Sequence, residues 1–259
     1  MPTASGRLQY GPQKYAALHL LLCRWLRLYG TPTAEYCYVT LGGTELKDIE
    51  SLRFVDPKLT SIVWSYEIDP ARYKLAQQRA IQLEASGLKI TLQCATIFSH
   101  QRTCDLPHIF FIDLPGICAF SDYDQQFADL FQNEIIREGD CLIITSHIVP
   151  RPGLDRVREH FGGEFAVLGV DDSDTNLVKS VFRRAHPTMT LFKALSLNGI
   201  QSELAVRCFG AVKYRDGAPM GLYGYSVTSG STELSRFVTD AEIRYFDIAT
   251  GQLCATDDF

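Results

Sequence analysis

The sequence predicts an α/β fold: a doubly wound, mostly parallel sheet with helices on both faces and a C-terminal antiparallel β-hairpin. Three observations predict it. Apolar, β-branched segments alternate with helical ones from residue 36 to about residue 161. Those strand-like segments are almost continuously apolar, as strands covered on both faces must be. Near the end, "ELAVRCFGAVKYRDG" and "PMGLYGYSVTSG" read as two strands joined at "RDGAP", a hairpin turn.

The elements follow in order. Residues 12–29 form an amphipathic helix, with Tyr15, Leu18, Leu22, Trp25 and Leu26 at helical spacing. "GTPTAE" breaks it, and "YCYVTL" is the first strand. Gly42-Gly43 turns the chain, and Thr44 is the expected cap of the next helix, with Glu45 and Asp48 near its positive end. "SIVWSYEID" is the second strand. The helix "PARYKLAQQRAIQLEASG" starts on Asp69 as N-cap and Pro70 in its first turn, and stops at Gly87. "KITLQCATIF" and "HIFFIDLPG" are the third and fourth strands, residues 123–139 a helix, and "DCLIITSHIV" the fifth strand. A helix over 153–161 follows. Two more, "SDTNLVKSVFRRAH" and "PTMTLFKALSLNG", are expected to meet at His186-Pro187. Residues 1–34 read as an N-terminal helical extension and 35–259 as the main domain.

The chain has 259 residues, 46% of them hydrophobic, enough for a sizeable core. The formal net charge of -5 gives no support to nucleic acid as a partner. Basic spots such as Arg24 with Arg27, or Lys179 with Arg183 and Arg184, read as solvated helix faces. No secretory signal is visible. "YAALHLLLCRWLRLYG" falls short of the roughly 20 apolar residues of a membrane span. The eight cysteines are scattered, with no C-x-x-C pair, and most sit in apolar runs. A reducing cytoplasm with buried thiols is the expected setting, and no metal ligands cluster in the sequence.

Ligands of an open parallel sheet bind beyond the carboxyl ends of its strands. Three points mark that edge. Gly42-Gly43 lacks side chains, which lets a ligand approach the backbone at a helix N-terminus. Glu67 ends the second strand, 24 residues beyond Gly43, where a carboxylate can accept two hydrogen bonds from a vicinal diol. Asp113, in "FFIDLPG", follows four apolar residues and can position a nucleophile or accept its proton; capping the turn at Leu114-Pro115-Gly116 is the rival role. His147, at the tip of the fifth strand, is a further candidate base. The hairpin carries Tyr214, Arg215, Met220, Tyr223 and Tyr225, a candidate lip for the site. No P-loop, G-x-S-x-G elbow or H-E-x-x-H is present.

"SYEIDPARYKLAQQRA" resembles the segment after the glycine turn in the Rossmann-like, seven-strand S-adenosylmethionine-dependent methyltransferases. The order of glycine turn, acid-tipped strand, helix, third strand, "FFID" strand, helix and fifth strand is similar over roughly residues 36–149. The hairpin resembles that fold's sixth and seventh strands. The resemblance implies S-adenosylmethionine as cofactor. It implies that Thr40, Leu41, Gly42, Gly43 and Thr44 pass under the methionine part and Glu67 with Ile68 holds the ribose. Thr96 stands where the family places an acid for the adenine, and Asp113 would face the transferred methyl. The motifs are degenerate. Thr40 replaces the acid before the glycines, two glycines stand for three, and "DLPG" lacks the aromatic of the amino-methyltransferase motif.

The sequence thus reads as a methyltransferase whose acceptor, a small molecule or nucleic acid, is open. Catalysis would fall to Asp113 and His147. Two rivals stay: a catalytically silent Rossmann-like subunit acting through a partner, and a nicotinamide-dependent oxidoreductase, which would want a fuller G-x-G-x-x-G.

Overall fold

The computed structural model describes residues 12–30, 34–114, 123–148, 153–167, 170–171, 173–197, 199–200, 203–216, 218–230, 245–249 and 251–253. Along the chain these form α1 (Pro12–Tyr29), β1 (Cys37–Thr40), α2 (Lys47–Val55), β2 (Ile62–Tyr66), α3 (Pro70–Glu84), β3 (Ile90–Gln93) and β4 (His108–Asp113). Then come α4 (Tyr123–Gln132), β5 (Cys141–His147), α5 (Leu154–Val167), α6 (Thr175–Leu197), β6 (Leu204–Asp216), β7 (Ala218–Ser229), β8 (Tyr245–Asp247) and β9 (Gln252–Leu253). Pro115 and Gly116, expected at the turn after β4, lie outside the described residues.

The described strands join one sheet in the order β3-β2-β1-β4-β5-β7-β6-β8-β9. β1 to β5 are mutually parallel. β7 runs antiparallel to β5, and β6 antiparallel to β7, with a bulge between Cys208 and Gly210. This is the predicted doubly wound sheet with its hairpin. The short edge pair β8-β9 has no signal that sequence reasoning found.

The period-2 alternation of the strands sorts the core into two layers. Tyr38, Val63, Ile109, Phe111 and Ile143 pack toward α1, α2 and α3. Val39, Phe110, Ile112, Leu142 and Ile144 pack toward α4 and α6 on the other face. α1 lays Leu18, Leu21, Leu22 and Trp25 into the first layer and covers the hairpin strands β6 and β7. α5 packs on α6 through a third cluster, Val157, Phe161 and Phe165 against Val178 and Phe182.

Three local expectations are corrected. Thr44 does not cap α2: the residue before that helix is Leu46, in the left-handed region at φ 48° and with no side-chain cap. Leu46 is fully buried, so core packing holds this backbone where a polar cap would otherwise do so. The helix over 123–139 ends at Gln132, because Glu134 and Gly139 both take positive φ. His186-Pro187 does not join two helices. α6 runs straight through Pro187, because its apolar face continues from Val178 and Phe182 to Met189, Leu191 and Leu195. No helix among the described residues is long and apolar enough to cross a membrane.

Candidate functional site

The strand order reverses between β1 and β4, and a crevice at such a switch point is where doubly wound sheets bind ligands. A cleft of about 570 Å³ lies there. Its walls include Leu41 and Gly43 after β1, Glu67 and Ile68 after β2, and Thr96 after β3. Asp113 from β4 and His147 from β5 complete them. The sheet therefore brings both carboxylates to one edge, as parallel strands in register must. Thr40, Gly42 and Thr44 are not among the lining residues.

The reasons are local. Thr40 is fully buried and its Oγ1 donates to Asp48 Oδ2 at 2.6 Å. Tyr38 Oη donates to the same oxygen at 3.0 Å. Asp48, in the first turn of α2, thus places an acid beneath the glycine turn, reached through Thr40. Burial pushes the Asp48 carboxyl up, and the hydrogen bonds from Thr40 and Tyr38 pull back. Gly42 is required by packing and not by ligand approach: a Cβ there would stand 2.6 Å from both Leu46 Cδ2 and Ser65 Oγ. Gly43, at φ 57°, is the glycine that meets the cleft.

Glu67 is 8% exposed. Its Oε1 accepts the Asp69 N–H at 3.1 Å, and its Oε2 lies 3.4 Å from Arg72 Nε. Asp69 turns away as expected and caps α3 through the N–H groups of Ala71 and Arg72. Those bonds hold its carboxyl below the usual range. Ile68 is 71% exposed, an apolar side chain held out at the rim. Across from it, Phe98 and Tyr123 stack at 5.7 Å between ring centroids and line the same cleft. Thr96 spends its hydroxyl capping a short 3₁₀ turn, accepting from Phe98 N at 3.4 Å.

Asp113 is committed on both oxygens. Thr145, its register partner on β5, donates to Oδ1 at 2.5 Å. Lys14 Nζ donates to Oδ2 at 2.5 Å. Lys14 comes from α1 and is only 3% exposed, with its ammonium 5.5 Å from the centre of the Phe111 ring. Sequence reasoning missed it: a lysine in the first turn of an amphipathic helix reads as solvated. The one available signal was its place on the helix, one turn before the buried Leu18.

The hairpin supplies Tyr214 and Met220 to the cleft wall. Tyr223 and Tyr225, expected near that lip, are buried in the core, where Tyr225 Oη meets Thr188 Oγ1 at 2.9 Å. Arg24 and Arg27 border a separate groove with Leu20, Gly210 and Phe246. His186 serves structure: its Nε2 lies 2.8 Å from Ser146 Oγ in a fully buried position.

No family of known proteins matches the sequence, and no curated relative does. Solved structures do align with it. One is assigned as a class I S-adenosylmethionine-dependent methyltransferase of Listeria monocytogenes, at 12% identity and TM-score 0.48, covering 92% of this chain. The chain spans 64% of the length of that protein. A geranyl diphosphate methyltransferase solved with S-adenosylmethionine aligns at 11% identity and TM-score 0.47, over 82% of this chain and 84% of the other. Magnesium protoporphyrin IX methyltransferase of Synechocystis, with bound S-adenosylhomocysteine, aligns at 15% identity and TM-score 0.44, over 84% and 83%. At this level of likeness, what the cleft does rests on the chain's own residues.

Proposed function

We propose that the cleft binds S-adenosylmethionine and that the protein transfers its methyl group to a small-molecule acceptor. The observation that carries the reading is Glu67: a nearly buried carboxylate at the carboxyl end of β2, in one cleft with the glycine turn after β1. The lining fits the cofactor. Glu67 offers oxygens to a vicinal diol, displacing the long approach of Arg72, whose side chain is 42% exposed and has room to swing. Ile68 and Phe98 offer apolar surface to a purine. Leu41 and Gly43 form the floor. The bound group would supply an electrophilic methyl on a sulfonium.

The chain's own part is alignment, which is most of what such a transfer requires. Asp113, fixed by Thr145 and Lys14, is a rigid anchor rather than a free base. His147, half-buried on the same wall, is the residue placed to take a proton from an acceptor hydroxyl or ammonium. The acceptor is read as small because Arg24 and Arg27 border a different groove and so do not flank this cleft. A cytoplasmic setting suits the free thiols of Cys23 and Cys94, exposed among the described cysteines.

A second reading is favoured by one observation. Both Asp113 oxygens are occupied, so the protein would bind cofactor without turning it over, as a subunit acting through a partner.

Calorimetry and thermal melting with S-adenosylhomocysteine test the first step. A ligand at about a hundred times its Kd stabilises by roughly 2.7 kcal/mol. A rise in melting temperature with S-adenosylhomocysteine and none with NADH is expected. No response to either S-adenosyl compound would overturn the reading. Binding without release of S-adenosylhomocysteine from S-adenosylmethionine, in the presence of a metabolite extract, would favour the silent subunit.

A further inference from the structure

The opposite edge of the sheet carries a second cluster of reactive side chains. Cys37 is the first residue of β1 and His108 the first of β4, and the two are register partners on adjacent strands. Cys104 comes from the loop that precedes β4. One ligand atom from each of Cys37, Cys104 and His108 lies within 4.8 Å of the other two. Cys104 and His108 are four residues apart, but Cys37 precedes Cys104 by 67 positions, so the full set does not show as a cluster in the sequence. Cys37 and His108 are fully buried, and Cys104 is partly so.

The histidines give the independent sign. His108 Nδ1 lies 2.8 Å from the carbonyl oxygen of Leu106, which can only accept. The proton is therefore on Nδ1, and Nε2 carries a bare lone pair. That Nε2 is buried and has no hydrogen-bond partner. His100 repeats the pattern beside it, with ring centroids 5.5 Å apart. It is 1% exposed, its Nδ1 is 2.7 Å from Tyr66 Oη, and its Nε2 is again buried and unpartnered. Two orphaned imidazole nitrogens in one core cost free energy unless something occupies them. An outer N–H held by a carbonyl, with the inner nitrogen bare, as in His108, is how metal-bound histidines are oriented; the Tyr66 hydroxyl can donate or accept, and it accepts when His100 binds through Nε2.

We propose that Cys37, Cys104 and His108, with His100 as the fourth ligand, form a binding site for a zinc-type divalent cation. Two thiols and two imidazoles are the donor set that such an ion takes in a closed tetrahedral site. Binding replaces two thiol protons, released to solvent, by one divalent cation. The two thiolates then cancel its charge, and the core holds no net charge. Tetrahedral bond lengths put ligand atoms about 3.3–3.8 Å apart, so a contraction of roughly 1–1.5 Å closes Cys37, Cys104 and His108, and His100, outside that 4.8 Å group, moves further to complete the set. The neighbouring Arg102 does not oppose the cation, since it is paired with Asp140 at 2.8 Å. Asp140 is itself fixed by the N–H groups of His108 and Arg137. The ion would pin the loop between β3 and β4 to the starts of β1 and β4, away from the cofactor cleft.

The test uses the full chain, reduced with a non-chelating phosphine, stripped of metal and titrated with Co²⁺ and then Zn²⁺. One equivalent of cobalt with a thiolate-to-cobalt charge-transfer band, displaced by zinc, is the expected result. Cys104→Ala and His108→Asn should each weaken cobalt binding by about tenfold or more, and Cys94→Ala, at an exposed cysteine, should not. Circular dichroism of the metal-free variants shows whether they fold; His100→Asn, which removes one imidazole and no thiol, serves if Cys104→Ala does not. Wild-type protein that shows no cobalt band overturns the proposal. So does a band that persists in the variants, or a Cys37–Cys104 disulfide as the only species in reductant.

Discussion

Lys14 Nζ sits 2.5 Å from Asp113 Oδ2, joining the first helix to the tip of β4 across 99 positions of sequence. The two side chains are 4% and 15% exposed. The ion pair makes α1 a wall of the cleft.

Lys14→Met should destabilise, because it leaves the part-buried Asp113 charge without its cation. Removing one partner of a fully buried pair costs about 3–5 kcal/mol, and solvent in the cleft beside Asp113 brings the loss below that. Adding Asp113→Asn should recover much of that loss. Urea denaturation of the two single variants and the double variant measures it. Additive losses would mean that the pair is not energetically coupled.

Asp48 makes a prediction about pH. Burial raises its carboxyl above the ordinary 3.8, so in the window just above that value the folded state binds more protons than the unfolded one. Its contribution to stability is then largest in acid and falls as pH rises through the window, levelling off above the folded value. Asp48→Asn removes this dependence. The stability of the variant relative to wild type should rise from about pH 4 upward and then stay flat, as read by urea melts at several pH values. A relative stability that falls with pH would show that the bonds from Thr40 and Tyr38 outweigh burial.

The fold and half of the cleft were legible in the sequence for one reason: Glu67, Asp69 and Asp113 sit at strand ends, and strand ends are marked by local pattern. Asp69 as cap and Pro70 in the first turn follow from spacing alone. Lys14 was not legible, since its burial depends on how α1 crosses the hairpin. The Thr40–Asp48 bond was not legible either, because Thr40 reads as a missing acid until the turn folds Asp48 back beneath it. Pro187 misled because proline usually ends a helix, and here a continuous buried face overrides it. Cys37 meets Cys104 and His108 only through the pairing of β1 with β4.

The two glycines should separate by mechanism. Gly42→Ala places a Cβ against Leu46 and Ser65, and overpacking of this kind costs about 1–3 kcal/mol. Gly43→Ala instead meets a left-handed backbone, at about 1–2 kcal/mol. Adding Ser65→Gly should relieve part of the first, since the Leu46 contact stays, and leave the second unchanged. Thermal melts of the four proteins check this; equal rescue of both would place the strain in the turn as a whole.

Glu67 carries the functional reading, so its substitution is the sharpest test. Glu67→Gln keeps the size of the side chain and can still accept the Asp69 N–H, which preserves the start of α3. It removes the charge that would strengthen two hydrogen bonds to a ribose diol. Hydrogen bonds to charged groups contribute about 1.5–3 kcal/mol, so affinity for S-adenosylhomocysteine should fall by roughly 10- to 150-fold. Melting temperature without ligand should stay near wild type, because the ligand-free protein gives up only the 3.4 Å approach of a half-exposed Arg72. Arg72→Ala provides the opposite sign: it relieves Glu67 of a competitor, and affinity should hold or rise. Unchanged affinity in Glu67→Gln would remove this carboxylate from the site. A matching loss in Arg72→Ala would mean that the pair, not the acid, shapes the pocket.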